Sequence, residues 1–323
     1  LAERYAGAFP VAYQSEVDPA DALEDVASLE SLRDEPEALR LNLHRPPGQV
    51  MTRVHLKIVR RGEPVPISDL LPVMENFGLR VISERPWQLT LAGGAASVQD
   101  FELETRSGAT VAIERIEQRF TEALLAVWRN EIENDGFNRL LLPTALTARE
   151  IVVLRACCRY LLQTGLPFSQ AYMERVLAGH AALAADLLRL FEARLDPDAP
   201  ARGRAARATR IADAIARRLE SVADADEDRI LRAFLAVVLA VLRTNHWQRD
   251  AAGRPPPVLA LKLDPAGIPG LPLPRPRFEV FVYSPAVEGV HLRMGPVARG
   301  GIRWSDRRED FRTEVLGLMK AQN

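Results

Sequence analysis

PVPISDLLPVMENFGLRVISE, residues 64–84, decides how the first part of the chain folds. Ser68 or Asp69 can cap a helix whose apolar residues Leu70, Leu71, Met74 and Phe77 recur at helical spacing. Gly78 supplies the stop, and a strand begins at Leu79. Upstream, Val54, Leu56, Ile58 and Val59 read as a strand that runs into the turn Arg61-Gly62-Glu63-Pro64. Downstream, strand patterns cover 79–82, 88–91 and 98–103, with Gly93-Gly94 as the turn before the last. With a helix from Val111, this order predicts a ferredoxin-like α/β unit.

Working outward, the segment before it combines a strand pattern at Phe9, Val11 and Tyr13 with a helix over 20–32, opened by Asp18 and Pro19 and closed near Pro36. From Val111 to Trp247 almost every segment reads as helix. Thr147 and Glu150 form a capping box ahead of a helix with Ile151, Leu154, Cys158, Leu161 and Leu162 on one face, Arg149, Arg155 and Arg159 on another, and Gly165 as its stop. Further helices cover 168–178, 181–194 and 228–243, the last capped by Asp224 and Glu227 and apolar almost all round over 234–242, as expected at the centre of a bundle. A Pro-rich stretch follows, then strands over 278–283 and 289–293 around the turn Ser284-Pro285. A final helix over 308–322 carries Phe311, Val315, Leu318 and Met319 on one stripe, with Asp306 and Glu309 at its start as a capping box.

The expected organisation is α+β and multidomain: an N-terminal segment (1–47), an α/β unit (48–110), a helical domain (111–253), a Pro-rich linker (254–277) and the beginning of an α/β catalytic domain (278–323). Composition narrows the partners. The 323 residues carry 42 Lys plus Arg against 43 Asp plus Glu, which gives no basic footprint for nucleic acid. The longest apolar run, 230–242, contains Arg232 and falls short of a membrane span. Cys157 and Cys158 are too few for a disulfide framework and lack metal-site spacing; Cys158 lies on the apolar stripe, and a cytoplasmic location is expected. His44, His55, His180, His246 and His291 are isolated, so no metal site is expected. The arginine run at 202, 204, 207 and 210 reads as a solvated loop and helix start. With Leu1 in place of Met and a helical pattern still running at Asn323, the chain reads as an internal piece.

The segment Gly295-Pro296-Val297-Ala298-Arg299-Gly300-Gly301-Ile302-Arg303 reads as a loop between a strand and a helix. Its glycines permit positive φ and close approach of a ligand, and Arg299 and Arg303 carry planar guanidinium groups suited to a carboxylate. Spacing alone leaves two readings open, an anion grip and a solvated hairpin. Trp304 is either a pocket wall or an anchor for the last helix.

Two resemblances add to this reading. Residues 64–84 resemble the first helix and following strand of ACT domains, which implies a regulatory or assembly role and an amino-acid effector near 62–69. FEVFVYSPAVEGVHLRMGPVARGGIRWSDRREDFRTEVLGLMKAQ (278–322) closely resembles the large-subunit class of NAD-specific glutamate dehydrogenases. DADEDRILRAFLAVVLAVLRTNHWQ (224–248) and LAERYAGAFPVAYQ (1–14) are similar to the same proteins. The resemblance implies oxidative deamination of L-glutamate to 2-oxoglutarate and ammonia by a homo-oligomer, with Arg299, Gly300, Gly301 and Arg303 in the substrate site. The family motif Gly-Pro-x-Lys-Gly-Gly-x-Arg is matched at Gly295 and Pro296, but this chain has one more residue in the loop and Arg299 where the family has lysine. Lys320, on the helix leading toward the family's catalytic lysine motif, is either near the substrate or solvated. No catalytic residue is expected within the chain. No Gly-x-Gly-x-x-Gly follows a strand, so NAD is expected to bind a domain outside it.

Overall fold

A computed structural model describes residues 5, 7–35, 38–304 and 311–321. The chain divides into two units, Leu1–Trp128 and Arg129–Asn323.

In the first unit, α1 (Val11–Glu16) and α2 (Pro19–Ser31) precede β1 (Arg40–His44), β2 (Arg53–Arg61), α3 (Ile67–Asn76), β3 (Leu79–Leu91), β4 (Gly94–Thr105) and α4 (Ile113–Trp128). All strand pairs are antiparallel, in the order β1-β2-β4-β3. This is the expected ferredoxin-like, ACT-type arrangement, with one difference: the place beside β2 is filled by the strand before it rather than by one after the second helix. Leu56, Ile58, Phe101 and Leu103 are buried between the sheet and α3 and α4, whose Phe77 and Phe120 rings meet edge to face at 5.2 Å. The helix expected to open the helical domain thus packs on this sheet, because Ile116, Phe120, Leu124 and Val127 need an apolar partner.

The opposite sheet face is sealed by Tyr13, Leu29 and Leu32 against Val59, Trp87, Leu89 and Val98. The strand expected around Phe9, Val11 and Tyr13 is helical instead: Val11 is 82% exposed, while the Tyr13 hydroxyl donates to buried Asp25 at 2.6 Å. Asp18 caps α2 by accepting from the Ala20 backbone N–H; the expected stop at Pro36 lies outside the described residues. Gly78, at φ +79°, closes α3 as expected, whereas the N-cap is Pro66 rather than Ser68 or Asp69. The two strands expected at 79–82 and 88–91 are one, β3, which runs through Pro86 because an edge strand tolerates a missing N–H.

The second unit begins with a 3-10 turn (Gly136–Leu141), followed by α5 (Ala148–Leu162), α6 (Gln170–Gly179), α7 (Ala181–Leu195), α8 (Arg204–Leu219) and α9 (Ala225–Ala240). An antiparallel meander follows, β5 (Val241–Thr244), β6 (Leu259–Leu263), β7 (Phe278–Tyr283), β8 (Val287–Met294) and β9 (Val297–Trp304), and then α10 (Phe311–Lys320). The Thr147–Glu150 capping box is present in both directions. The arginine run opens α8.

Four expectations change here. The helix read to Arg243 stops at Ala240, because 241–244 pair with β6, and Leu239 and Leu242 are exposed. Leu259–Leu263, placed in the linker, is a strand with Leu259, Leu261 and Leu263 buried in alternation. Arg155, read onto a face other than the apolar one, is fully buried and bonded to Asp135 and Asn138. In the last helix Leu318 is exposed, and buried Arg312 and Leu316 join Val315 and Met319 instead. The capping box expected at Asp306 and Glu309 lies outside the described residues.

Candidate functional site

The segment read as a loop is a hairpin strand. Gly295 at φ +65° and Pro296 form a two-residue turn, and 297–304 pair with β8 from Met294↔Val297 to Val287↔Trp304. The free edge of β8 explains this: its peptide groups need partners, and β9 supplies them. Gly300 and Gly301 are therefore required for space rather than for positive φ. A Cβ on Gly300 would lie 2.9 Å from the Val290 carbonyl oxygen, and one on Gly301 2.9 Å from the Phe311 ring.

The period of the sheet sorts the remaining residues. Glu279, Phe281 and Tyr283 on β7, Glu288, Val290 and Leu292 on β8, and Gly301 and Arg303 on β9 face the same way. Arg303 donates through Nη2 to Glu288 Oε2 at 2.9 Å, and its guanidinium lies 5.8 Å from the Phe311 ring centroid. Arg159 of α5 donates to the other Glu288 oxygen at 2.5 Å. On β7, Glu279 accepts from Arg312 Nε at 3.0 Å and from the Tyr160 hydroxyl at 2.8 Å. Both carboxylates are 1% exposed, so each must be fully matched by charge and hydrogen bonds. Burial, with Glu279 alongside, pushes the Tyr160 hydroxyl well above its ordinary value and keeps it a donor.

The sequence-predicted residues thus separate. Arg299 is exposed and forms no hydrogen bond or ion pair among the described residues. The Arg303 side chain is 7% exposed and is engaged by Glu288, so of the two guanidinium groups expected to suit a carboxylate it is already occupied. Trp304 and Ile302 alternate outward and are exposed, which removes Trp304 as an anchor under the last helix. Lys320 is exposed on α10. Sequence reasoning missed Glu279, Glu288, Arg159, Tyr160 and Arg312. A signal existed for Glu279, which falls in phase with Phe281 and Tyr283 within the strand expected over 278–283, whereas Glu288 lies one residue before the strand expected over 289–293.

Deeper in the helices, Asp135 holds Arg155 through Nε at 2.6 Å, and burial raises the Glu133 carboxyl to about 7. Burial also pushes the Cys157 thiol up to about 12 and that of Cys158 well above its ordinary value, which suits inert packing. Of the histidines read as isolated, the strand register brings His44 and His55 together across β1 and β2.

In order along the chain stand an ACT-type sheet, a helical array and a second antiparallel sheet with a Gly-Gly edge strand. Four family models match in order: glutamate dehydrogenase helical motif 2 (1–32), glutamate dehydrogenase ACT3 domain (38–116), glutamate dehydrogenase helical motif 3 (132–197) and bacterial NAD-glutamate dehydrogenase catalytic domain (214–323). The last begins before the residue 278 expected from the sequence. Along essentially its whole length the chain is similar to NAD-specific glutamate dehydrogenases, with 42% identity to that of Halomonas elongata over 100% of this chain and 44% to that of Mycobacterium tuberculosis over 99%. Identity to the Pseudomonas aeruginosa protein is 41% over 97% of the chain. The chain is thus a relative of the bacterial NAD-specific glutamate dehydrogenases and spans 20% of the length of each of these three. No helix among the described residues is long and apolar enough to cross a membrane.

Proposed function

We propose that this chain is part of an NAD-dependent glutamate dehydrogenase, where it joins an ACT-type unit to the first sheet of the glutamate-binding domain. The whole enzyme would convert L-glutamate to 2-oxoglutarate and ammonia. The observation that supports this most is the catalytic-domain similarity over 214–323, which includes an edge strand presenting Arg299 as an exposed guanidinium with no partner among the described residues. NAD, when bound, accepts the hydride from the glutamate α-carbon; with no Gly-x-Gly-x-x-Gly after a strand here, its binding belongs to a domain outside this chain.

In this reading the residues divide the work of orientation. Arg299 holds a substrate carboxylate. Gly300 and Gly301 let β9 lie close to β8 and Phe311, and Arg303 fixes the strand through Glu288. Lys320, exposed near the end of α10, is a further substrate-proximal candidate. The ACT3 similarity supports an amino-acid effector at the first unit and homo-oligomeric assembly, and the two unpaired, buried cysteines support a cytoplasmic location.

Arg299→Ala in the full-length enzyme is expected to raise the glutamate KM roughly tenfold or more, as loss of a charge-assisted hydrogen bond requires. Arg299→Lys should recover part of it. An unchanged KM removes Arg299 from the site.

A further inference from the structure

We propose that His44, His55 and Asp100 form a binding site for a divalent transition-metal ion of the zinc type on the first unit's sheet. Nothing in the glutamate dehydrogenase reading requires it. His44 and His55 are directly opposed on β1 and β2, while Asp100 on β4 sits opposite Lys57, a diagonal step from His55. Because antiparallel pairing puts all three on one face, their ligand atoms lie within 4.8 Å of one another.

The donor set is partly preassembled. His55 Nδ1 is 3.0 and 3.1 Å from the two Asp100 oxygens, close to the spacing of about 3.4 Å between neighbouring ligand atoms in a tetrahedral zinc site. The buried Nδ1 of His44 has no hydrogen-bond partner among the described residues. The His44 and His55 ring centroids are 5.4 Å apart, and the half-buried His44 ring is the group that must swing to close the site. Burial lowers the His44 pKa, which keeps the imidazole in the neutral form that binds metals. Two imidazoles and one carboxylate suit a borderline ion, with water as the fourth ligand.

The surrounding charges allow a cation. Lys57 lies on the same face, but its ammonium is bound by Asp25 of α2 at 3.1 Å, and Asp21 of α2 adds negative charge toward His44. Arg53 is matched by Glu102 at 2.7 Å and Glu104 at 3.4 Å, and the Gln49 amide stands between Glu102 and His55 Nε2. On binding, the ion takes the place between the His55 ring nitrogen and the Asp100 carboxylate.

The test uses the whole 323-residue chain, stripped with a chelator and titrated with cobalt(II) as a visible probe, then with zinc(II) in competition. The expected result is one cobalt per chain with the intense visible absorption of a low-coordinate site, displaced by zinc. Zinc should also raise Tm. His44→Gln, at a half-buried ring on an outer strand, and Asp100→Asn should each weaken binding at least about tenfold and abolish the Tm rise. The double variant His180→Gln, His291→Gln should bind as before. Absence of stoichiometric binding by the unaltered chain overturns the proposal, as does binding that His44→Gln and Asp100→Asn leave unchanged.

Discussion

The two units solve the same problem, an antiparallel sheet that must be covered, with different materials. The sheet of Leu1–Trp128 buries Leu56, Ile58, Phe101 and Leu103 against helices and carries the buried Lys57–Asp25 ion pair on its other face. The sheet of Arg129–Asn323 carries two glutamates on its covered face, in phase with Phe281 and Val290, and each is met by arginine from a helix or a neighbouring strand. Apolar burial is non-directional and tolerates small slips. A carboxylate in the same position demands a donor at hydrogen-bond distance and so ties α5 and α10 to particular places on β7 and β8.

The comparison breaks most visibly at Arg312. Arg312→Ala strands Glu279 at 1% exposure with the Tyr160 hydroxyl as its remaining side-chain donor, and the expected cost is about 3–5 kcal/mol. Urea unfolding should show the transition of the second unit moving to lower denaturant while that of the first stays in place. Adding Glu279→Gln should recover part of the loss, since the uncompensated charge causes most of it. A change under about 1 kcal/mol for Arg312→Ala would mean that the pair is not structural.

The same contrast explains what the sequence made legible. In the first unit the period of the apolar residues and the stop at Gly78 carried most of the information, and the α/β order followed from them. What they could not carry was the placement of Ile113–Trp128, because an amphipathic helix announces that it needs a surface but not which one. In the second unit Phe281 and Tyr283 were visible as strand residues, yet Glu279, two residues before Phe281 and in phase with both, reads as a polar interruption until its partner Arg312 is found on an element far along the chain. The burial of Arg155 and Arg159 was illegible for the same reason: a charged residue on a helix shows no sign of burial until its carboxylate is found. The Gly295–Arg303 stretch was legible as a special place but not as a strand, since Gly300 and Gly301 signal flexibility in a sequence and close packing in this fold. The His44, His55 and Asp100 cluster depends on strand register, which no single segment encodes.

A sharper version of the comparison uses pH. Glu133 has its carboxyl raised to about 7, chiefly by burial, against an ordinary value near 4.5. Since the raised group prefers its proton in the folded state, stability is full below about pH 4.5 and is lost as pH climbs through 7. Glu133→Gln removes this loss, so the difference between variant and parent should grow from near zero at pH 5 to about 1–2 kcal/mol at pH 8, after discounting for partial exposure. Thermal unfolding across that range, followed in the second unit, measures it. A gap that shrinks with rising pH would reverse the assignment.

The smallest effect separates two ways of capping a helix. Asp18 of the first unit accepts from Ala20 alone, whereas Thr147 and Glu150 of the second exchange bonds in both directions, with the Thr147 N–H donating to Glu150 at 2.6 Å. Thr147→Ala removes one acceptor but leaves Glu150 able to hold the N-cap backbone, so the expected cost is about 1 kcal/mol. Asp18→Ala leaves nothing behind and should cost at least as much, despite losing fewer bonds. If Thr147→Ala proves the costlier, the reciprocal bonds act as one unit: the Thr147 hydroxyl, which donates to Glu150 at 2.8 Å, would be what keeps that carboxylate turned back over the helix start.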